Sequence, residues 1–453
     1  MRTLVRRPVF GLVAVAAALV TAAEQPIART AAAADAKTAA AVEAEWTVVV
    51  AGLLRRCEAG GHDQLAAHIR GWDLPDAGER QLILVIPAAE AQPPGWIDTP
   101  PEAAIWEDFV QARRARAADT FALAVAASQT RAAPARDPAA ADRPPLEQRT
   151  AEAIRLLYRV LRDDPDHERA REAGGWVKRH GSWVWPEAAR RLDKGEEHSA
   201  AFGWLPQGRQ QRYRAGERYE RGRWTKAGDE PDGRPAKTDR MPPKKPHDID
   251  GQGRRFASDH WQITTTAREE AAADLAAGLE EAHAVWLQVF GAFQYEPAEW
   301  EQRFEGRGRP RPIEPFAAKL TASREEYVAA LEPLEPAIAR TLGIYWTPTR
   351  TAWFFEGEGQ EATTVHHEAT HQLFAEKRRT SPLAGERCGF WAIEAAACYM
   401  ESLEPRPWGW TLGGRDAGRA PMARERLLED GFHVPLAELT ALGRRDFQIG
   451  RAH

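Results

Sequence analysis

Apolar residues at helical spacing dominate the first part of the chain. Their recurrence predicts helices over residues 42–56, 64–70 and 102–128. The apolar pattern of residues 147–173, interrupted by a turn signal, predicts one helical hairpin. Residues 130–145 are rich in Ala, Pro and Arg, and this composition predicts a linker between the two helical regions.

Two patterns of aromatic and glycine residues follow, at residues 175–183 and 217–224. Each has an aromatic residue, a turn with glycine and then a tryptophan, which predicts a β-hairpin. Two such hairpins predict a small barrel-like module. Its aromatic residues either bind sugars or peptides, or form the core of a module that has no other core. Residues 227–253 are rich in Pro, Gly, Lys and Asp and predict a flexible linker.

The rest of the chain mixes strand and helix patterns. Strands are predicted at residues 256–266, 316–321 and 351–355, and helices at 268–290, 324–331, 390–401, 423–429 and 436–442. This mixture predicts an α+β fold, in which helices pack on a small sheet. The helical and small β modules described above precede it.

Length and composition shifts predict several domains, because 453 residues exceed one ordinary domain. We predict a signal peptide at residues 1–23 and an Ala-rich, helical region with a linker at residues 24–145. A helical hairpin and a Trp/Gly-rich β module follow at residues 146–232. A second linker at residues 233–253 leads to a catalytic domain at residues 254–453. The last of these carries the candidate chemistry.

The N-terminal residues have the pattern of a secretory signal. Three arginines give a basic start, residues 9–20 form an uncharged apolar run, and small residues follow at 21–23. We therefore expect an exported protein, periplasmic, in the cell envelope or secreted, whose mature chain begins between about residues 23 and 34. The apolar run is too short for an ordinary membrane span, so no transmembrane span is expected after removal of the signal.

Charge and cysteine content limit the function and the cross-links. The net charge of −5 at pH 7 argues against a nucleic-acid binder, because such proteins present basic surfaces. The chain has three cysteines, Cys57, Cys388 and Cys398. Export permits a disulfide between Cys388 and Cys398. The alternative is that both are buried thiols, which the position of Cys398 inside a predicted helix favours.

The strongest chemical motif is His-Glu-x-x-His at residues 367–371. Because four residues turn an α-helix by about 400°, His367 and His371 share one face, one turn apart. Two imidazoles at this spacing can bind one Zn²⁺. Glu368 lies about 100° around the helix, where it can take a proton from a water on the metal. The alternative is an exposed helix that carries histidines by chance.

The helix predicted at residues 390–401 can complete the site. A catalytic zinc site needs three protein ligands and one open position. Glu394 can supply the third ligand, and the alanines at 395–397 let the two helices approach closely. Glu401 lies about two helical turns after Glu394, on nearly the same face. It either hydrogen-bonds a zinc-binding histidine or is a solvated surface charge.

Together, His-Glu-x-x-His and the downstream Trp-x-x-Glu-x-x-Ala-x-Tyr-x-Glu resemble the gluzincin class of zinc metallopeptidases, the peptidase-MA-like group. The resemblance covers the chain from about residue 255 to its C terminus. It implies that His367, His371 and Glu394 bind zinc, and that Glu368 activates a water molecule.

The resemblance implies two further features of the site. Gluzincins usually add a Tyr or His that stabilises the transition state. No motif marks it here, and His433 and Tyr399 are candidates by residue type alone, with a structural role as the alternative. In the class, an edge strand borders the cleft and can pair with an extended substrate, which is the place expected for the strand at residues 351–355.

The expected function is that of an exported zinc metallopeptidase acting on a peptide or protein substrate. Zn²⁺ would polarise the scissile carbonyl and a water, and Glu368 would take the proton and pass it to the leaving amine. Two alternatives stay open. The chain is a catalytically inactive, gluzincin-like binding or scaffolding protein of the cell envelope, or its zinc is structural and has four protein ligands.

Overall fold

The computed structural model describes residues 37–87, 93–130, 144–220, 223–226, 254–377 and 383–447. The predicted signal peptide, residues 1–23, and the predicted second linker, residues 233–253, lie outside this part of the chain. Among the helices that are described, none combines the length and the apolar character needed to cross a bilayer.

Helices and one short strand build the N-terminal part of the chain. They are α1 (Ala39–Gly60), α2 (Asp63–Arg70), β1 (Gln81–Leu84), α3 (Pro100–Ser128), α4 (Leu146–Asp163) and α5 (Glu168–Gly174). The start of α3 is specified locally, because Thr99 and Glu102 form a reciprocal capping box and proline occupies the first turn. These elements confirm the helices and the helical hairpin predicted for this region.

Three β-hairpins follow, where the sequence pattern predicts two. Their strands and the helices between them are β2 (Val177–Arg179), β3 (Ser182–Val184), α6 (Pro186–Asp193), β4 (Glu196–Ser199), β5 (Gly203–Pro206), α7 (Arg209–Arg214), β6 (Glu217–Glu220) and β7 (Arg223–Lys226). Each hairpin is a separate two-stranded sheet, so the predicted barrel-like module is wrong. The intervening helices α6 and α7 separate the hairpins along the chain.

The middle hairpin reveals a repeat in this module. Trp183, Trp204 and Trp224 occupy the second residue of β3, β5 and β7, at a period of about 20 residues. The Arg212 guanidinium of α7 lies 3.5 Å from the centroid of the Trp224 ring in the third hairpin. That ring face is therefore used in contacts within the module.

A five-stranded sheet forms the centre of the second half of the chain. Its strands are β8 (Arg254–Ala257), β9 (Trp261–Thr265), β10 (Phe316–Thr321), β11 (Ile344–Trp346) and β12 (Thr351–Phe355), in the spatial order β11-β12-β10-β9-β8. Strands β9, β10 and β12 are parallel, and the two outer strands are antiparallel to their neighbours. The strand predicted at residues 256–266 is two strands, because the chain reverses where Ser258 N donates to Trp261 O.

The position of β12 corrects an expectation from the sequence. All five residues of β12 are buried, and β11 pairs with its outer side. The strand at residues 351–355 is therefore interior, and β11 is the edge of the sheet on this side. Its three residues are too few to produce a periodic signal in the sequence.

Helices cover both faces of this sheet and continue through the described residues that follow it. They are α8 (Glu269–Phe290), α9 (Pro297–Phe304), α10 (Arg324–Leu331), α11 (Ala362–Lys377), α12 (Phe390–Met400), α13 (Ala420–Leu428), α14 (Leu436–Ala441) and α15 (Arg444–Asp446). Side chains of α8 and α11 share a core with Ile263 and Phe354 of the sheet. On the other face, Tyr327 and Leu331 of α10 pack with Trp353 and Phe355. The architecture is mixed α and β, as predicted.

A small sheet joins a strand of the N-terminal helical part to two strands that follow α12. β1 pairs with β14 (Gly409–Leu412), which pairs with β13 (Glu404–Arg406), and both pairings are antiparallel. The Gln288 side chain of α8 also bonds both the N–H and the C=O of Leu84, each at 2.9 Å. The division into domains stays a prediction. Residues 254–453 alone would lack β1, which pairs with β14 in this sheet. Experiments on that region therefore need the full chain.

A cluster of ionisable residues is buried where the hairpins meet the five-stranded sheet. Glu280 accepts hydrogen bonds from Ser258 Oγ, His260 N and His260 Nδ1, at 2.7, 2.8 and 2.6 Å. The rings of His260 and His283 lie with centroids 3.9 Å apart and planes tilted by 34°. The three hydrogen bonds to Glu280 satisfy its carboxylate, which explains how this group is buried beside His260.

Lys377 lies beside this cluster and makes the stability of the fold depend on pH. Burial disfavours its charged ammonium more than Glu187 and Glu280 stabilise it, which lowers the pKa of Lys377 to about 7. An unfolded lysine has a pKa near 10.5, so the unfolded state binds more protons between pH 7 and 10.5. The free energy of unfolding should therefore rise with pH across this window, by at most about 1.4 kcal/mol per pH unit.

Urea unfolding at several pH values checks this expectation. The variant Lys377→Met should lack the rise, because methionine cannot titrate, and should be more stable than the wild type at pH 7. The difference between the two proteins should shrink as the pH approaches 10. Parallel pH profiles for the wild type and the variant would contradict the prediction.

Candidate metal centre

Helix α11 carries the motif histidines on one side, and its opposite side is packed against the core. Val365, Ala369 and Leu373 recur every four residues and are all buried. Gly278 lets α8 approach closely, because a Cβ atom there would lie 3.3 Å from Val365 Cγ1. This packing on α8 fixes the orientation of α11, so the two histidines are held on the side that faces α12.

His367, His371 and Glu394 bring three donor atoms together. The two Nε2 atoms of His367 and His371 are 3.1 Å apart. Glu394 Oε2 lies 3.5 Å from His367 Nε2, and Glu394 Oε1 lies 3.5 Å from His371 Nε2. The structure thus places the three predicted ligands around one point between α11 and α12.

These distances fit a tetrahedral zinc ion. Donor atoms about 2.0–2.1 Å from a shared tetrahedral ion are about 3.3–3.4 Å from one another. Two imidazoles and one carboxylate are also the donor set of catalytic zinc sites that keep a fourth position open. Two unprotonated Nε2 atoms at 3.1 Å repel each other, so either a proton of one ring or a metal ion has to lie between them.

Helix α12 supplies Glu394 from a segment with little steric bulk. The helix begins after Gly389, whose φ of 73° lies in the left-handed region that favours glycine. Ala397, three residues after Glu394, is completely buried. Small side chains on this part of α12 allow the close approach to α11 that the three-donor arrangement needs.

Glu401 contacts a predicted ligand, which decides between the two explanations that the sequence leaves open. Its Oε1 atom lies 2.6 Å from His367 Nδ1. The Arg419 guanidinium donates to both carboxylate oxygens of Glu401, at 2.6 and 2.7 Å. A carboxylate on Nδ1 fixes the ring orientation and leaves Nε2 for a metal. Arg419 carries no motif and lies in a segment of weak sequence signal, so sequence reasoning missed it.

The carboxylates around His367 favour positive charge at this point. Burial disfavours the charged ring, yet contacts with Cys398, Glu394 and Glu401 raise the pKa of His367 to about 12. Burial likewise disfavours the Glu394 carboxylate, but His367 and His371 lower the pKa of Glu394 to about 2. A divalent cation at the two Nε2 atoms would replace the proton and be stabilised by the same carboxylates.

Glu368 is held beside the three donors by the edge strand. Its Oε2 atom accepts a hydrogen bond of 2.6 Å from the backbone N–H of Tyr345 in β11. The approach is possible because residue 343 is glycine; a Cβ atom there would lie 2.9 Å from Thr364 Cγ2 and 3.2 Å from Glu368 Cγ. A backbone donor has no residue-type signature, so the sequence could not reveal it.

Other residues considered from the sequence contact different parts of the structure. His366 is buried, and its Nε2 lies 3.1 Å from Glu281 Oε1 of α8, as expected for a side chain off the ligand face. The Tyr399 hydroxyl donates to Gln81 Oε1 at 3.4 Å, toward the small sheet and away from the three donors. His433 is exposed between α13 and α14.

The cysteines differ from the sequence-based expectation. Cys57, Cys388 and Cys398 are all free thiols, so the structure has no Cys388–Cys398 disulfide. The alternative of two buried thiols is wrong for Cys388, which is exposed on the loop before α12. Cys398 is half-buried, and its Sγ lies within 4.8 Å of ligand atoms of His367 and Glu401.

Comparison with known proteins finds no match to this chain among family models, curated proteins or solved structures.

Replacement of Arg419 by glutamine should weaken zinc binding without removing a ligand. The change removes the two hydrogen bonds that hold Glu401, so Glu401 fixes the His367 ring less firmly. Loss of such a supporting contact typically costs 10–100-fold in metal affinity, and we expect a decrease of about that size. Competition with a chromophoric zinc chelator measures it.

The matched control is Arg424→Gln, which removes the same positive charge five residues later, inside α13. Arg424 bonds Asp416 at 3.0 Å and the backbone of Arg415, away from the three donors. Its zinc affinity should equal that of the wild type. Equal affinities for all three proteins would show that Arg419 does not support the site.

Proposed function

We propose that this protein is an exported zinc metallopeptidase of gluzincin type that hydrolyses peptide bonds in a peptide or protein substrate. The observation that carries the proposal is the triangle of His367, His371 and Glu394 donor atoms, 3.1–3.5 Å apart, with Glu368 beside it. One helix bears His-Glu-x-x-His and the next bears the third donor, which is the arrangement implied by the resemblance to gluzincins.

In the proposed reaction, the side chains of the centre have separate roles. His367, His371 and Glu394 would hold Zn²⁺, which supplies Lewis-acid polarisation of a carbonyl oxygen and lowers the pKa of water. Glu368 accepts the proton of the attacking water and delivers it to the leaving amine. The Tyr345 N–H keeps its carboxylate oriented for both transfers. Glu401 and Arg419 hold the His367 ring.

The edge strand suggests how a substrate would be oriented. Among the described strands, β11 pairs only with β12, so its outer side would offer backbone groups to an extended peptide. Tyr345 is the central residue of β11 and also binds Glu368 through its N–H. A peptide aligned along β11 would thus run past the carboxylate that transfers the proton.

One observation favours a second candidate, an inactive gluzincin-like binding or scaffolding protein of the cell envelope. Gluzincin catalysis usually employs an additional Tyr or His near the metal. Here the hydroxyls of Tyr345 and Tyr399 donate to Glu376 and Gln81, at 3.3 and 3.4 Å. Both hydroxyls are thus engaged by partners outside the three-donor group.

Zinc content and turnover of the purified full chain separate the two candidates. The peptidase proposal expects about one zinc per chain and hydrolysis of an unfolded protein substrate that stops with a chelator and returns with added zinc. Bound zinc with no hydrolysis of any unfolded protein or peptide library would favour the inactive binding protein. Absence of bound zinc would contradict both.

A further inference from the structure

A cavity of 390 Å³ lies on the face of the five-stranded sheet that is turned away from α8 and α11. Gln262 and Thr264 line it from β9, on either side of Ile263, whose side chain packs in the core with α8 and α11. Since successive side chains of a strand point to opposite faces, Gln262 and Thr264 point to the cavity side. The sheet therefore separates this cavity from α11 and its candidate metal centre.

A small residue in the middle of the sheet creates the space. Ala317 of β10 is directly opposite Gln262 of β9 and Thr351 of β12 in the strand register. Its side chain is a single methyl group between two longer side chains, so the floor is lowest at the centre. Helix α10 packs on Trp353 and Phe355, further along β12, and the cavity lies beside that contact.

The next row of side chains brings a positive charge to the cavity. Lys319 of β10 is directly opposite Thr264 and Trp353 in the register. Its Nζ atom lies 4.6 Å from the centroid of the Trp353 ring, a contact that holds the ammonium group at the cavity floor. No described residue that lines the cavity is acidic. The other lining side chains offer hydroxyl groups, an amide and apolar surface: Gln262, Thr264, Thr349, Thr351, Leu334 and Trp346.

We propose that this cavity binds a small monocarboxylate, whose negative charge lies at the Lys319 ammonium and whose apolar body packs against Trp346 and Leu334. Binding there is independent of the proposed peptidase function. The described lining carries one positive charge and no negative charge, which favours an anion. Its volume lies within the range of about 300–1,000 Å³ that is typical of pockets for small molecules.

Charge also distinguishes a carboxylate from other anions. One lysine neutralises one negative charge, whereas a phosphate group carries about −1.5 to −2 at pH 7. A free amino acid would bring an ammonium group into a cavity whose described lining has no carboxylate to bind it. The lining therefore fits a carboxylate without a neighbouring ammonium, as in an acylated amino acid, the C-terminal end of a peptide or an organic acid.

Isothermal titration calorimetry of the purified full chain tests the proposal. The probes are N-acetylphenylalanine, 3-phenylpropionate and the amide of N-acetylphenylalanine, which has no negative charge. Both carboxylates should bind, and the amide should bind at least about tenfold more weakly, because it lacks the charge-assisted contact with lysine. Tighter binding of N-acetylphenylalanine would identify a peptide end as the source of the carboxylate. Tighter binding of 3-phenylpropionate would identify an organic acid.

Lys319→Met should raise the Kd of both carboxylates at least about tenfold and leave the Kd of the amide unchanged. Lys178→Met is the matched control, because Lys178 Nζ also lies over a tryptophan ring, 5.3 Å from the Trp183 centroid, but on β2 in the hairpin module. Its Kd values should equal those of the wild type. Trp346→Ala should weaken binding of both carboxylates by removing apolar contact. Thermal unfolding shows whether each variant is folded.

Three results would overturn the proposal: no binding of either carboxylate up to about 10 mM, equal binding of N-acetylphenylalanine and its amide, or equal Kd values for the wild type and Lys319→Met. Carboxylates are also ligands for zinc. Binding at the candidate metal centre would be lost in His371→Ala and kept in Lys319→Met, whereas binding in the cavity should show the reverse. Failure of the cavity site is thus distinguishable from failure of the peptidase proposal.

Discussion

Replacement of Glu368 by glutamine should abolish peptide hydrolysis and leave zinc binding intact. Glutamine has the size of glutamate but cannot accept a proton from water. General acid–base catalysis typically contributes 10²–10⁴-fold, so kcat should fall by at least about 100-fold. Glu368 is not one of the three donors, so the variant should retain the zinc content of the wild type, measured by inductively coupled plasma mass spectrometry.

The structure explains why this variant should fold normally. The amide oxygen of the introduced glutamine can accept the hydrogen bond that Tyr345 N–H donates to the Glu368 carboxylate. The matched control is Glu361→Gln, the same change at an exposed residue just before α11. The control should retain full activity. Undiminished hydrolysis by Glu368→Gln would rule out the proposed base, whatever its zinc content.

The second large effect concerns the metal. His371→Ala should reduce bound zinc from about one equivalent to nearly none after dialysis, because two donors remain of the three that a catalytic site needs. His367→Ala should do the same. Glu394→Gln should weaken binding less completely, since a neutral amide is a poorer ligand than a carboxylate. Zinc content after dialysis against metal-free buffer measures all three.

Two histidines outside the centre serve as controls. His433 is exposed, so His433→Ala should change neither zinc content nor stability. His366→Ala should keep its zinc but lose stability by about 1–3 kcal/mol, because His366 is buried and contacts Glu281. Zinc retained by His371→Ala and lost from His366→Ala would show that the assignment of ligands on α11 is wrong.

The positions of the candidate ligands could be predicted because they depend on helical geometry. The spacing of His367 and His371 places them on one face of any helix, and Glu394 and Glu401 share a face of the next one. The contact between Glu401 and His367 was one of two explanations open from the sequence, and the structure decides it at 2.6 Å. In each case a periodicity within a single element carries the information.

Features formed between distant segments could not be predicted in this way. Arg419 reaches Glu401 from a segment with no motif, and Tyr345 binds Glu368 through a backbone N–H that every non-proline residue possesses. The edge strand β11 is too short for a periodic pattern, and the pairing of β1 with β14 joins residues more than 300 positions apart. Pairing between separate elements has no signature in a single sequence.

X-ray absorption at the zinc edge of the purified full chain tests the central claim most directly. The account predicts a first shell of nitrogen and oxygen atoms at about 2.0–2.1 Å, with the outer-shell scattering of two imidazole rings. Zinc that remains bound to His371→Ala should show outer-shell scattering from one imidazole ring instead of two, which would support the assignment. A sulfur atom at about 2.3 Å, which Cys398 would supply, or a shell without imidazole would contradict the assignment to His367, His371 and Glu394.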